Sequence, residues 1–200
     1  MKKRNARLRL GLLLVILAAG LAAACTGEAP VGPAQTPGTA FDIADVSASS
    51  HGTNGGQNLD ACQNLEVRNG DKLVRRLYAN GVQIYTWNGA SWTFVAPSAV
   101  LSADPAGNSI VGTHYAGPTW ESRSGGTVVG SVLDRCTPDP DDIPWLLLGA
   151  VADGPGLFHR VTYIQRVNTV GGIAPSAPGT HVGEEARVPY TSDYLFYRSK

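Results

Sequence analysis

The chain has 200 residues, 43% of them apolar and 16% charged, with 24 glycines and 13 prolines. That is enough apolar chain for one ordinary domain with its own core, and it excludes a highly charged or wholly disordered protein. Formal charges cancel over the sequence, 16 basic against 16 acidic, but they are not evenly spread.

The N-terminal stretch carries the imbalance. Lys2, Lys3, Arg4, Arg7 and Arg9 precede an apolar run from Leu10 to Ala23. That run falls short of the roughly 20 residues of a stable membrane span. A positive flank, a short apolar core and then small residues predict an export signal over residues 1–24. Leu21-Ala22-Ala23-Ala24-Cys25 has the form of a bacterial lipobox, which makes Cys25 the predicted lipidation site and membrane anchor. An ordinary signal-peptidase site at Ala22-Ala23-Ala24 is the alternative. Removal of the signal would leave 11 basic and 16 acidic residues, a net charge of −5. No basic stripe would remain to replace phosphate counterions, which argues against a nucleic-acid partner.

Residues 26–40, TGEAPVGPAQTPGTA, hold almost no bulky apolar group and read as a tether. Phe41 and Ile43 could dock as a first short strand, and residues 47–60 read as a polar, Gly-rich loop. Residues 25–60 are therefore assigned to anchor and tether, and 61–200 to the folded domain.

Two further cysteines, Cys62 and Cys136, fall in that domain. In an oxidising compartment they predict a disulfide, which closes a loop long enough to contribute about 4 kcal/mol in the chain-entropy model. Two buried free thiols are the alternative. No cysteine or histidine pair has ligand spacing, so no metal or other cofactor is expected.

From Leu65 the texture is that of strands and turns. Asn69-Gly70, Asn80-Gly81 and Asn88-Gly89 are hairpin-type turn signals. LVRRLY (73–78) reads as a strand, with a helical turn as the alternative. In VQIYTW, Val82, Ile84 and Thr86 alternate with Gln83, Tyr85 and Trp87, and Trp92–Val95 follows and stops at Pro97. Ile110–Tyr115, Thr119–Arg123 and Thr127–Leu133 are short runs separated by Gly117-Pro118 and Gly125-Gly126. WLLLGAV (145–151) is a doubly buried strand or a helix start, and the nearby glycines favour a short element. Val161–Asn168 alternates, 169–184 is a loop, and Arg187–Tyr190 and Tyr194–Tyr197 close the chain as strands. The prediction is one all-β domain with long loops, a sandwich or a small barrel.

Candidate chemistry concentrates in VGTHYAGPTWE (111–121). His114 and Glu121 could meet across the Ala116-Gly117-Pro118 turn as an acid–base pair, but only in some registers. Otherwise His114 makes a structural hydrogen bond and Trp120 fills core. A G-x-S-x-G nucleophile elbow, a P-loop lysine and EF-hand spacing are all missing. Aromatic residues on strands, Trp87, Tyr115 and Trp120 among them, could stack on sugars or hold an apolar ligand, or could simply be core. Arg166, mid-strand, needs a partner if its face is covered, and Glu121 or Asp193 could supply one; a wet second face is the alternative.

The strings YANGVQIY, HYAGPTWE, IPWLLLGA, YIQRVNTVGGIAP and RVPYTSDYLFY occur in an order that resembles the exported bacterial and fungal proteins grouped as domain of unknown function 3455. The likeness covers roughly Leu77 to Tyr197. It implies a secreted or surface-attached module and brings no activity. Many members have a cysteine where Trp87 stands and another after the GG-x-AP string, and this chain has neither. Against that pattern, Cys62 and Cys136 read as a replacement staple.

The expectation is thus a non-catalytic envelope module, lipid-anchored through Cys25, with a structural role or one of binding cell-wall glycan or a small ligand. A surface hydrolase using His114 and Glu121, and a protein-binding factor such as an inhibitor of wall-degrading enzymes, are the competing classes.

Overall fold

Alternation dictates most of the architecture. The computed structural model describes residues 59–200. The predicted signal, Cys25, the predicted docking of Phe41 and Ile43 and the predicted tether up to residue 58 lie outside the described residues, while Leu59 and Asp60, assigned to the tether, belong to the packed N-terminal segment.

Eight antiparallel strands follow a short 3-10 helix, Asp60–Leu65. They are β1 (Lys72–Trp87), β2 (Trp92–Ser102), β3 (Ile110–Tyr115), β4 (Thr119–Ser122), β5 (Thr127–Cys136), β6 (Trp145–Asp153), β7 (Tyr163–Gly171) and β8 (Glu185–Arg198). Each strand pairs with the next, and β8 returns to pair with β1, so the sheet closes into a barrel. Of the two predicted architectures, the barrel is the one formed. Eight strands enclose a space just wide enough for side chains to fill. Leu77, Leu101, Val128, Leu148, Ile164 and Phe196 point inward and fill it. Phe158 and Val161, from the loop after β6, plug one end.

A second apolar cluster lies outside the wall. Leu59, Cys62 and Leu65 of the N-terminal segment pack on Leu147, Val167, Leu195 and Tyr197. Gln165 locks the segment down: its Nε2 donates to Leu65 O (2.7 Å), while its Oε1 accepts from the Tyr197 hydroxyl (2.6 Å). A Cys62–Cys136 disulfide ties the segment covalently to the end of β5.

Several sequence expectations need correcting. Asn80-Gly81 is not a turn, because β1 runs straight through it. Gly81 is there for close strand approach: a Cβ at this position would lie 2.2 Å from Ser98 O of β2. Pro97 does not end β2, which continues to Ser102. Pairing of β2 with β3 begins only at Ala99, so Pro97 sits where one flank of β2 has no neighbour. Arg187–Tyr190 and Tyr194–Tyr197 are parts of one strand, β8. Of the two readings left open for WLLLGAV, the strand is the one formed.

The β3–β4 hairpin is short, and this shapes the wall. β4 spans four residues and pairs with β5 only from Thr127 to Val129. The first half of β2 and the second half of β5 therefore extend past it at the same end of the barrel. Among the described residues, no helix is long and apolar enough to cross a membrane.

Candidate functional site at the open end of the barrel

The histidine of the central motif belongs to the core. In an antiparallel pair, residues directly opposite share a face. His114 stands opposite Trp120, and both point inward. Their rings stack at 4.4 Å and 12°, with Tyr194 edge-on to each. A carbonyl oxygen can only accept, so His114 Nδ1 carries the proton and donates to Thr119 O at 2.8 Å. Burial pushes the imidazole down to about 4, and the Arg166 guanidinium adds to the fall. The ring is neutral at pH 7.

Glu121 stands opposite Thr113, one position out of step, and so points outward. It accepts the Tyr115 hydroxyl at 2.9 Å, and that bond raises the phenol above its usual range. The predicted His114–Glu121 pair is thus corrected: the hairpin register puts the two side chains on opposite sides of the wall.

The remaining predicted ligand residues separate in the same way. Trp120 is fully buried core. Tyr115 is on the outer face with Glu121. Trp87 pairs with Trp92 at the rim, with centroids 5.5 Å apart. The loop between β7 and β8 folds over both, since Trp92 Nε1 donates to Ala177 O and Gly179 sits against the Trp87 ring. A Cβ on residue 179 would lie 2.5 Å from Trp87 Cγ. The rings do not form a free stacking platform.

Arg166 faces inward, across from Leu146 on one side and Tyr194 on the other. It bonds neither Glu121 nor Asp193. Its Nε and Nη2 both donate to Pro144 O, at 3.1 and 2.7 Å. Asp193 instead accepts from Asn168. Arg166 also sits close enough to Tyr85 and Tyr190 to oppose, in part, the rise that burial imposes on both phenols.

The interior near Arg166 is unusually polar. Gln83 Nε2, Trp120 Nε1 and Ser192 Oγ are buried without hydrogen-bond partners among the described residues, and the buried hydroxyls of Tyr190 and Tyr194 have only each other within reach. Such atoms are rare in native interiors because each costs roughly 1–3 kcal/mol unless something bonds it. Ile143 and Gly172 close this end on the β7–β8–β1 side, and Tyr85 donates to Gly172 O at 2.6 Å.

On the opposite side the same end is open. Phe94 stands opposite Tyr85 and touches its ring edge-on, so it faces inward, yet it is 51% exposed. Val132 stands opposite the core residue Leu148, yet it is 44% exposed. On the same inner face, Leu101 and Val128 are 0% exposed. The interior is therefore reachable by solvent between β2 and β5, above the short β3–β4 hairpin. Arg135 adds a second cation there. It pairs with Leu146, which packs on the inner core, while its neighbour Cys136 points outward to the disulfide.

Sequence reading picked out Arg166 but not Arg135, Phe94 or Val132. Bulges after Ile84 and after Val132 reverse the inside–outside parity of β2 and β5, and no turn residue marks either one. A shallow groove of about 300 Å3 lies outside the opposite end, where β6 and β7 part, between Arg160 and Arg198. Among the described residues no group of three or more His, Cys, Asp or Glu gathers at one point.

Comparison with known proteins adds a family and no chemistry. No curated protein and no solved structure matches the chain. Residues 68–198, which take in all eight strands of the barrel but not the 3-10 segment before them, match the family described as "Protein of unknown function (DUF3455)". That stretch is well over half of the sequence, and the chain belongs to this family.

Proposed function

We propose that this protein is an exported, lipid-anchored envelope module that works by binding a small ligand in the open end of its barrel, not by catalysis. The observation that carries the reading is the contrast on one inner face: Phe94 and Val132 are half exposed, whereas Leu101 and Val128 are sealed. A small concave site with apolar walls and a few convergent polar groups is the usual form of a ligand pocket. The hydrolytic alternative lacks its assembled pair, since His114 is buried and neutral while Glu121 is outside. A small ligand is favoured over glycan because Trp120 is core and Trp87 is capped by Gly179. The anchor rests on the lipobox at Cys25 and the tether after it.

Two experiments test the reading. Native mass spectrometry of the protein taken from its own cells should show a small molecule that is released on unfolding. A chain that carries none, and whose melting temperature no envelope small-molecule fraction raises, contradicts the binding role. For the anchor, Cys25→Ser should abolish incorporation of labelled palmitate and move the protein out of the membrane fraction. An unchanged distribution contradicts lipidation.

A further inference from the structure

We infer that the open end holds an oxyanion head between Arg135 and Arg166, with the ligand's apolar body lying on Phe94, Val132 and Tyr85. This deepens the binding role proposed above and depends on it.

The charge pattern comes first. Arg135, Leu146, Arg166 and Tyr194 form one cross-strand row on the inner face. The two arginines flank Leu146 from strands on either side, roughly 10 Å apart at the backbone. Two arginine side chains readily span that distance. The Arg135 guanidinium has no bonding partner among the described residues, and Arg166 spends two N–H groups on one carbonyl. A guanidinium offers five donors in a planar fork suited to a carboxylate or phosphate.

No acid answers these cations. The inward positions of all eight strands near this end, read from the registers, hold no Asp or Glu. The acidic loop between β5 and β6 is turned to backbone instead: Asp139 accepts from Asp141 N, and Asp142 from Gly171 N. Asp134 points to the outer face, opposite Leu147. The single ion pair among the described residues, Arg187–Glu185, is also elsewhere.

The uncommitted polar atoms come second. Tyr190 and Tyr194 lie beside Arg166 with their hydroxyls within reach only of each other, and Gln83 Nε2, next to Tyr190, is buried without a partner. Gln83 and one phenol of the pair can donate to an anion. A structural peg for Pro144 would need only Arg166 and would leave these donors and Arg135 without a role. The half-exposed apolar walls explain the rest of the ligand, because Phe94 and Val132 give it area while its head is held by charge. An amphiphile with an acidic head fits both features, whether the head is a carboxylate or a phosphate ester.

Isothermal titration of the full chain tests this with decanoate, decyl phosphate and decanol, each below its aggregation concentration. The acids should bind, and decanol should bind at least about tenfold more weakly. Binding of only one acid also supports the site and identifies its head group. Arg135→Gln removes a side chain that has no partner, so the melting temperature should hold while affinity for the acids falls roughly tenfold. Arg166→Lys keeps the charge, loses the fork and should weaken the acids similarly. Decanol binding as tightly as decanoate, or acid binding indifferent to both substitutions, would overturn the inference. So would failure of both acids to bind. If the chain from its own cells nevertheless carries a different small molecule, the binding role stands and only the anionic head falls.

Discussion

The two ends of this barrel are built from the same alternation, yet they solve different problems. At the closed end, Phe158 and Val161 fold in from the β6–β7 loop over Leu77, Leu101, Val128 and Phe196, and every one of these is buried. At the open end, inward positions carry Arg135, Arg166, Gln83 and Tyr190, and the wall thins where β3 and β4 stop short. The first arrangement minimises exposed apolar area. The second leaves apolar area wet and polar atoms unbonded, both of which cost stability. A chain that can pack one end this well and leaves the other unfinished points to function at the unfinished end.

Substitutions should separate the ends by size of effect. Phe158→Ala at the closed end should cost about 3–5 kcal/mol, because a fully buried ring leaves a cavity the strands cannot collapse around. Urea titration reads this, and a loss below about 1 kcal/mol would mean the plug is dispensable. Reducing Cys62–Cys136, whose cysteines are 74 residues apart, should cost about 4 kcal/mol if the unfolded chain is otherwise unconstrained.

Acid should act through the histidine between the two ends. The folded ring titrates at about 4, against an ordinary value of 6.5. Between these values the unfolded chain binds more protons than the native one, so stability rises with pH across the window. The His114 contribution is fully present above pH 6.5 and is lost as pH falls toward 4, about 3 kcal/mol in all. His114→Gln should flatten that slope in urea titrations at pH 7 and pH 4.5. An equally steep slope in the variant would place the titration elsewhere.

At the open end, Phe94→Ala should change stability by less than about 1 kcal/mol, because half of the ring is already in water. The smallest effect belongs to the outer face. Tyr115→Phe removes one exposed hydrogen bond to Glu121, and thermal melting should move by no more than about 0.5 kcal/mol equivalent.

Much of the strand framework was legible in the sequence. Alternation in VQIYTW and VTYIQRVN, with Asn88-Gly89 and Gly117-Pro118 between runs, gives strands and hairpins directly, and Cys62 with Cys136 gives the staple. The open end was not legible in the same way. His114 and Glu121 are seven residues apart across a turn, and only the register tells that they face opposite sides. Phe94 and Arg135 each follow or precede a bulge, and one extra residue inverts the face of everything beyond it. Asn80-Gly81 misled for a related reason: glycine serves close strand approach as well as turns, and the dipeptide does not say which.

The central claim is that one end of the barrel opens to solvent and is electropositive inside. Single cysteines at Val132 and at Val128, both inward on β5, test it with anionic and cationic methanethiosulfonates, rates being normalised to free cysteine. Val132→Cys should react readily, and faster with the anionic reagent, while Val128→Cys should stay protected. A protected residue 132, or one that prefers the cationic reagent, would contradict the account.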